Sequence, residues 1–219
     1  LPWRDVMISG MGTAENGEKF SKSKGNAPAL DSLIKQYSSD AIRHWATGGN
    51  LGANQRFSEA EVKKGNRMII KIMNVARFVS QFTKPSLVNG ATPCTYTSED
   101  LKLLSGLHKT VAEYHSQFNQ YNYFRARECL DVLFWEEFCS TYIEKNKNRF
   151  WGKELTDSQT AAIYCLHGCF FAIVRMYAPF IPFITEKIFQ DLYSSGHDSE
   201  SVHSLLLPDE DDEIFNALT

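Results

Sequence analysis

The 219-residue sequence contains no C-x-x-C pair and only five cysteines, at positions 94, 129, 139, 165 and 169. An odd set without close pairs fits neither a secreted disulfide framework nor a tetrahedral zinc site, so no metal ligands are assigned. The thiols are expected to be reduced and structural, in a cytosolic protein. A general excess of basic charge is also missing. The net charge is -3, so any affinity for nucleic acid must come from a local cationic stripe. No uninterrupted apolar run reaches the roughly 20 residues of a membrane helix, and no membrane partner is expected. Neither a signal peptide nor an initiating Met opens the chain, which starts as though cut from something longer.

What the sequence does have is an ordinary globular balance, 43% hydrophobic and 22% charged, with 15 Phe among its aromatics. Residues 1–26 read as a strand at Val6-Met7-Ile8 followed by glycine-punctuated loop, with Asn16-Gly17 in a type I′ hairpin turn. A small helical unit follows between Ala27 and Gly48. Its apolar sets are Leu30, Leu33, Ile34, Tyr37 and then Ala41, Ile42, Trp45, with Asp40 and Arg43 spaced to pair across one turn. Ser58 and Glu61 form a capping-box pattern that opens a long helix to about Phe82, with Val62, Gly65, Ile69, Ile72, Ala76 and Val79 facing a core. After a loop from Lys84 to about residue 96, helices are expected over 98–120, 123–148 and from Thr156, whose box partner is Gln159. Pro179 and Pro182 break the last of these and restart a shorter helix. Leu101, Leu104, Leu107, Val111 and Tyr114 mark the inner face of the first of the three. Phe134, Trp135 and Phe138 read as core. The fold class is therefore mainly α: a helical bundle over 51–219, preceded over 1–50 by a short strand/loop remnant and a small helical unit.

The segment richest in chemistry is Gly17-Glu18-Lys19-Phe20-Ser21-Lys22-Ser23-Lys24-Gly25-Asn26. Lysine ammoniums neutralise phosphate charge, serine hydroxyls donate hydrogen bonds, and Gly25 allows close backbone approach. Such a loop suits stabilisation of charge building on a departing pyrophosphate, and a solvated, flexible, lysine-rich loop is the alternative reading of the same residues. It is not a P-loop: Gly12 and Gly17 have the spacing, but Glu18 stands where the lysine is required. A second candidate surface lies on the long helix. Lys64, Arg67, Lys71, Asn74 and Phe78 recur at spacings of three and four, a mixture of cations, an amide and an aromatic that suits unpaired RNA bases and their phosphates; the alternative is a solvated polar face with Phe78 partly buried against a neighbouring helix. Lys145, Lys147 and Arg149 form a further basic cluster.

K-F-S-K-S at Lys19–Ser23 closely resembles the K-M-S-K-S signature of class I aminoacyl-tRNA synthetases, with Phe20 at the usual Met. S-K-G-N follows it, and D-A-I-R comes at Asp40–Arg43. Flanking segments are similar to the valyl-tRNA synthetase branch: L-P-W-R-D-V at the start, G-x-N-x-R-F-S-E at Gly52–Glu59, N-V-A-R-F-V at Asn74–Val79, F-W-E-E-F-C at Phe134–Cys139 and A-P-F-I-P-F-I-T-E at Ala178–Glu186.

The resemblance implies that residues 1–50 are the end of a catalytic domain and 51–219 an anticodon-binding domain. It gives Lys22 chiefly, and Lys19 secondarily, to the ATP phosphates and the activation transition state, with Ser21, Ser23 and Gly25 shaping the loop. It turns the stripe Lys64, Arg67, Lys71, Asn74, Phe78 toward tRNA. ATP with magnesium, valine and a valine-accepting tRNA are the implied substrates of a monomeric, cytoplasmic parent. The other family signature, H-I-G-H, is absent, so the chain by itself is expected not to form valyl-adenylate. Isoleucine or leucine specificity is the alternative within the class. A helical protein–protein module is the alternative outside it, and that reading leaves K-F-S-K-S unexplained.

Overall fold

The computed structural model describes residues 2–83, 95–151, 156–196 and 199–218. Cys94 and almost all of the loop expected from Lys84 lie outside the described residues.

The first unit is built on two very short strands. β1 (Gly12–Thr13) pairs in parallel with β2 (Gln55–Arg56), and between them run α1 (Leu30–Gln36) and α2 (Ser39–Ala46). The strand expected at Val6-Met7-Ile8 is not formed; these three side chains are exposed and their backbone makes no ladder. The polypeptide does reverse after β1, closed by a bridge between Thr13 and Lys19. The turn is not type I′, because Gly17 (φ 86°) takes a positive φ while Asn16 does not. Gly17 N–H instead bonds the Ala14 carbonyl at 2.8 Å and Asn16 Oδ1 accepts from Glu18 N–H. A single left-handed glycine after an ordinary turn achieves the same reversal.

The second unit is an α-helical bundle. α3 (Glu59–Val79), α4 (Ser98–Asn119) and α7 (Asp157–Tyr177) are its long members, and α8 (Pro182–Leu192) closes one side. The rod expected over 123–148 is α5 (Tyr123–Val132), an eleven-residue π-helical stretch Leu133–Ile143, and α6 (Glu144–Phe150). No proline or glycine marks that stretch, so its wider winding was not legible as periodicity. It turns Phe134, Phe138 and Tyr142 all fully inward, with Phe138 stacked on Phe170 of α7 at 6.0 Å between centroids. Fully burying side chains of this size contributes about 1.5–3 kcal/mol each.

α7 is long and apolar enough to cross a membrane by length and composition, yet it is the central helix of the bundle and most of it is buried. Short 3₁₀ turns at Ser194–Gly196, Val202–Ser204 and Glu213–Leu218 lead the chain back over α4 and α7.

Helix starts follow the sequence with two differences. Ser58 and Thr156 each accept from the backbone N–H three residues on, but neither box closes. Glu61 turns away to Lys64, and Gln159 donates to the Phe150 carbonyl at 3.0 Å. The complete box belongs to Thr97 and Asp100. Ile34 and Leu101, expected on inner faces, are exposed at 48% and 38%.

The expected Asp40–Arg43 pair is not made. Asp40 is 3% exposed and its carboxylate accepts the N–H groups of Phe183 (3.3 Å) and Ile184 (2.7 Å), in the first turn of α8. Arg43 is left in solvent. Four orphan N–H groups and the positive end of a helix dipole attract the carboxylate more strongly than one exposed guanidinium does.

Cys139, Cys165 and Cys169 are buried and Cys129 half-buried, all as free thiols. Burial pushes the Cys139 thiol up to about 12 and Cys129 up to about 11. Alkylation of native protein at pH 8, mapped by mass spectrometry, is expected to leave Cys139, Cys165 and Cys169 unmodified until denaturant is added. Rapid native labelling of any of the three would contradict this packing.

Candidate nucleotide loop and nucleic-acid face

The lysine loop is braced from inside by an amide. Asn26 accepts the Ser21 N–H at its Oδ1 (2.8 Å) and donates from its Nδ2 to the Lys19 carbonyl (3.1 Å). Two successive turns follow, Lys24 N–H to Ser21 O and Gly25 N–H to Lys22 O, with Gly25 at φ 59°. The Ser21 and Ser23 hydroxyls lie 2.8 Å apart. Phe20 packs beside Tyr37, Ala41, Phe57 and Val62 in a small apolar cluster separate from the main core. Its ring lies over Gly12, where an added Cβ would come within 2.9 Å. The aromatic in place of Met thus seats the loop's near end on the strand.

The three lysines are not equivalent. Lys24 is paired with Glu18 at 3.2 Å, an exposed contact of small energy. Lys19 and Lys22 are exposed and have no carboxylate partner among the described residues. Their charge is therefore available to a polyanion. Among the described residues no group of three His, Cys, Asp or Glu side chains gathers in a way that could hold a metal ion.

On α3, Lys64, Arg67 and Asn74 are exposed and Lys71 is half-buried, all along one face. Lys64 bonds the Glu61 carboxylate, and Asn74 Oδ1 accepts from Arg77 at 3.2 Å. Arg67 makes no ion pair among the described residues. Of the two readings of Phe78, exposed stacking group or partly buried ring, the structure gives the second: its ring is half-buried and contacts Phe82 at 5.1 Å and Phe150 at 5.8 Å, edge to face. Its place beside the cations is taken by Trp135 of the π stretch, half-buried, with Lys71 Nζ 5.6 Å from the ring centroid. Trp135, expected in the core with Phe134 and Phe138 from their helical spacing, packs against that core but is only half-buried.

The second basic cluster also divides. Lys145 and Lys147 are exposed, Lys147 paired with Glu144 at 2.5 Å. Arg149 turns inward to Asp100, which is fully buried, through two bonds of 3.0 and 2.9 Å. Asp100 also accepts from the Thr97 N–H at 2.8 Å and the Tyr142 hydroxyl at 2.7 Å. Burial would raise the Asp100 carboxyl, but the Arg149 guanidinium and these donors outweigh it and hold it below the usual carboxylate range. Arg149 therefore pins α4, α6 and the start of α7 rather than presenting charge to solvent.

Between the two units, Arg127 of α5 is buried, donates to the His44 carbonyl, and lies 3.3 Å from His44 Nδ1 and 3.5 Å from Asp131. Asp131 in turn accepts the Tyr177 hydroxyl at 2.7 Å. These residues carried no sequence signal beyond being polar in a helix.

The structure thus joins an α-helical bundle to a small unit that carries a braced, lysine-rich loop. Residues 100–219 match the family described as the anticodon-binding domain of tRNA ligase, and residues 1–58 match tRNA synthetases class I (I, L, M and V). The first match takes in more than half of the sequence, and the chain belongs to that anticodon-binding-domain family of tRNA ligases.

The chain is 34% identical over 218 residues to a valine–tRNA ligase of Ehrlichia ruminantium (strain Welgevonden), covering 97% of this chain and 27% of the relative. The valine–tRNA ligase of Ehrlichia canis (strain Jake) is 35% identical, with 93% and 25% covered. That of Wolbachia pipientis wMel is 34% identical, with 93% and 23% covered. The chain thus spans about a quarter of the length of these relatives. In a crystal structure of a ternary complex of Agrobacterium radiobacter K84 agnB2 LeuRS, tRNA and LeuAMS, the LeuRS shares the fold. The TM-score is 0.69 at 17% identity, over 94% of this chain and 24% of that one.

Proposed function

We propose that this chain is part of a valine–tRNA ligase, with the unit that carries the lysine loop ending the catalytic domain and the helical bundle forming the anticodon-binding domain. The observation that carries the reading is similarity to valine–tRNA ligases along almost the whole sequence, with the lysine loop and the bundle in one continuous match. Isoleucine and leucine enzymes share the class, but the relatives reported above act on valine by name.

In the whole enzyme, Lys22, with Lys19 behind it, meets the phosphates of ATP. Ser21, Ser23 and Gly25 shape the turn that lets them approach. Magnesium arrives with the nucleotide. Lys22 makes no ion pair among the described residues, whereas Lys24 bonds Glu18. The cations of α3, exposed Lys64 and Arg67 and half-buried Lys71, meet tRNA phosphates. Asn74 supplies an amide for a base edge, and Trp135 joins the face that Phe78 leaves. The protein acts as a monomer in the cytoplasm, with no membrane partner.

Titration against a valine tRNA transcript and an anticodon-swapped version, at several salt concentrations, tests this. Wild-type protein is expected to prefer the valine anticodon. Arg67→Gln or Lys71→Gln should each reduce the slope of log affinity against log salt by about 1. Equal binding of both RNAs with unchanged slopes would remove anticodon reading from this face.

A further inference from the structure

The stripe on α3 does not end at Phe78. The next step of four along the same side is Phe82, just past the helix. Phe82 is buried, and its ring meets the indole of Trp151 at 4.9 Å between centroids. Trp151 follows α6 directly and is 61% exposed. The two rings meet at 63°, so Phe82 supports the indole without stacking on it. An indole face is left open to solvent.

Single exposed apolar residues are ordinary on a protein surface, so exposure alone assigns nothing. Trp151 differs in being held. His167 of α7 donates from Nε2 to the Phe82 carbonyl at 2.7 Å, and Gln159, also of α7, donates to the Phe150 carbonyl at 3.0 Å. The backbone beneath the rings is thus tied to the central helix of the bundle. Phe150 completes the bed, tilted against Phe82 at 5.4 Å and edge-on to Phe78 at 5.8 Å. A ring fixed in this way loses little freedom when it binds. Both helices that supply these rings also carry cations. Lys147, four positions before Trp151, is exposed in an ion pair with Glu144 that contributes little. Arg77, in the last turn of α3, is exposed and bonds the neutral Asn74 amide.

We propose that Trp151 is a base-stacking residue, its indole taking the π face of one unpaired nucleotide of an RNA loop seated along α3. The proposal deepens the tRNA-binding reading above and rests on it. Every base has a π face, and an unpaired base leaves it uncovered, whereas a duplex buries it within its own stack. A protein partner would have to cover the cations of both helices at the cost of their hydration.

The test measures binding of the complete chain to a labelled valine anticodon stem-loop, with abasic nucleotides placed one at a time through the loop. Trp151→Ala is expected to weaken binding by about 5- to 150-fold, the range for loss of one base–aromatic stack. The slope of log affinity against log salt should stay at the wild-type value, because an indole releases no counterions. Trp151→Phe, which keeps a smaller ring, should recover part of the loss. One abasic position should cost wild type heavily and cost Trp151→Ala nothing further, which identifies the stacked base. An unchanged melting temperature would show that the Ala variant is folded. Were it lowered, the same abasic comparison on Trp151→Phe decides in its place. Wild-type affinity in Trp151→Ala, or no abasic position whose cost vanishes there, would overturn the proposal while leaving the tRNA reading in place. A wild type that binds the stem-loop no better than a fully paired duplex would defeat the tRNA reading, and the stacking role with it.

Discussion

Arg149→Met is expected to destabilise the protein by about 3–5 kcal/mol at pH 7, the cost of leaving a buried carboxylate without its cation. For a chain of this length that is a fall in melting temperature on the order of 10 °C. Asp100 is fully buried and Arg149 is 21% exposed at the side chain, so solvent screening does little to soften the loss. The pH dependence identifies the cause. In wild type the folded Asp100 carboxyl lies below its unfolded value, so its stabilisation is complete above about pH 4 and is lost as pH falls through the folded value. In the variant the guanidinium is gone and burial dominates, which raises the folded carboxyl above the unfolded one. Its penalty is then greatest at neutral pH and is relieved on acidification. The gap between the two proteins should therefore narrow from pH 7 to pH 4 in denaturant titrations. A gap of constant size would mean that Arg149 acts by packing and by its bonds to Ser158 and Asn146, not by charge.

Arg149 also shows how far the sequence could be read. Apolar spacing gave the inner faces of α3, α4 and α7, because burial of a helix face has a period that the sequence must obey. It could not tell that a lysine-lysine-arginine cluster on one helix splits, two residues to solvent and one to a buried carboxylate. That depends on Asp100, 49 residues earlier, coming opposite it. The same limit explains Asp40, whose partners lie 143 and 144 residues away, and Arg127, whose partner His44 lies 83 away. The lysine loop was legible for the opposite reason. Its chemistry is local, and only the brace from Asn26 and the neutralisation of Lys24 by Glu18 were hidden within it. Phe78 is drawn inward by Phe82, just past its own helix, and by Phe150, 72 residues on, and the spacing along α3 says nothing of that second partner.

Gly65→Leu is expected to lift the lysine-loop unit from the bundle while leaving the main core folded. A glycine in mid-helix costs about 1 kcal/mol relative to Ala, so something must offset it. At this position α3 passes so close to α2 that an added Cβ would lie 2.6 Å from the Ala41 carbonyl oxygen and 3.2 Å from its Cα. Both are backbone atoms, which cannot swing aside as a side-chain tip can. For Ala the gain in helix propensity partly cancels an overpacking cost of roughly 1–3 kcal/mol. For Leu no such balance exists, and α2 has to move. Moving α2 withdraws Ala41 from the small cluster with Tyr37, Phe57 and Val62, and draws Asp40 off the α8 N–H groups. The main core does not share those residues, and its α3 contribution begins at Met68. Hydrogen exchange should therefore quicken over α2 and at Phe183 and Ile184, while α7 keeps its protection. Uniform loss of protection would show that the two clusters unfold as one, and unchanged exchange at α2 would mean that α3 and α2 can separate at that crossing at little cost.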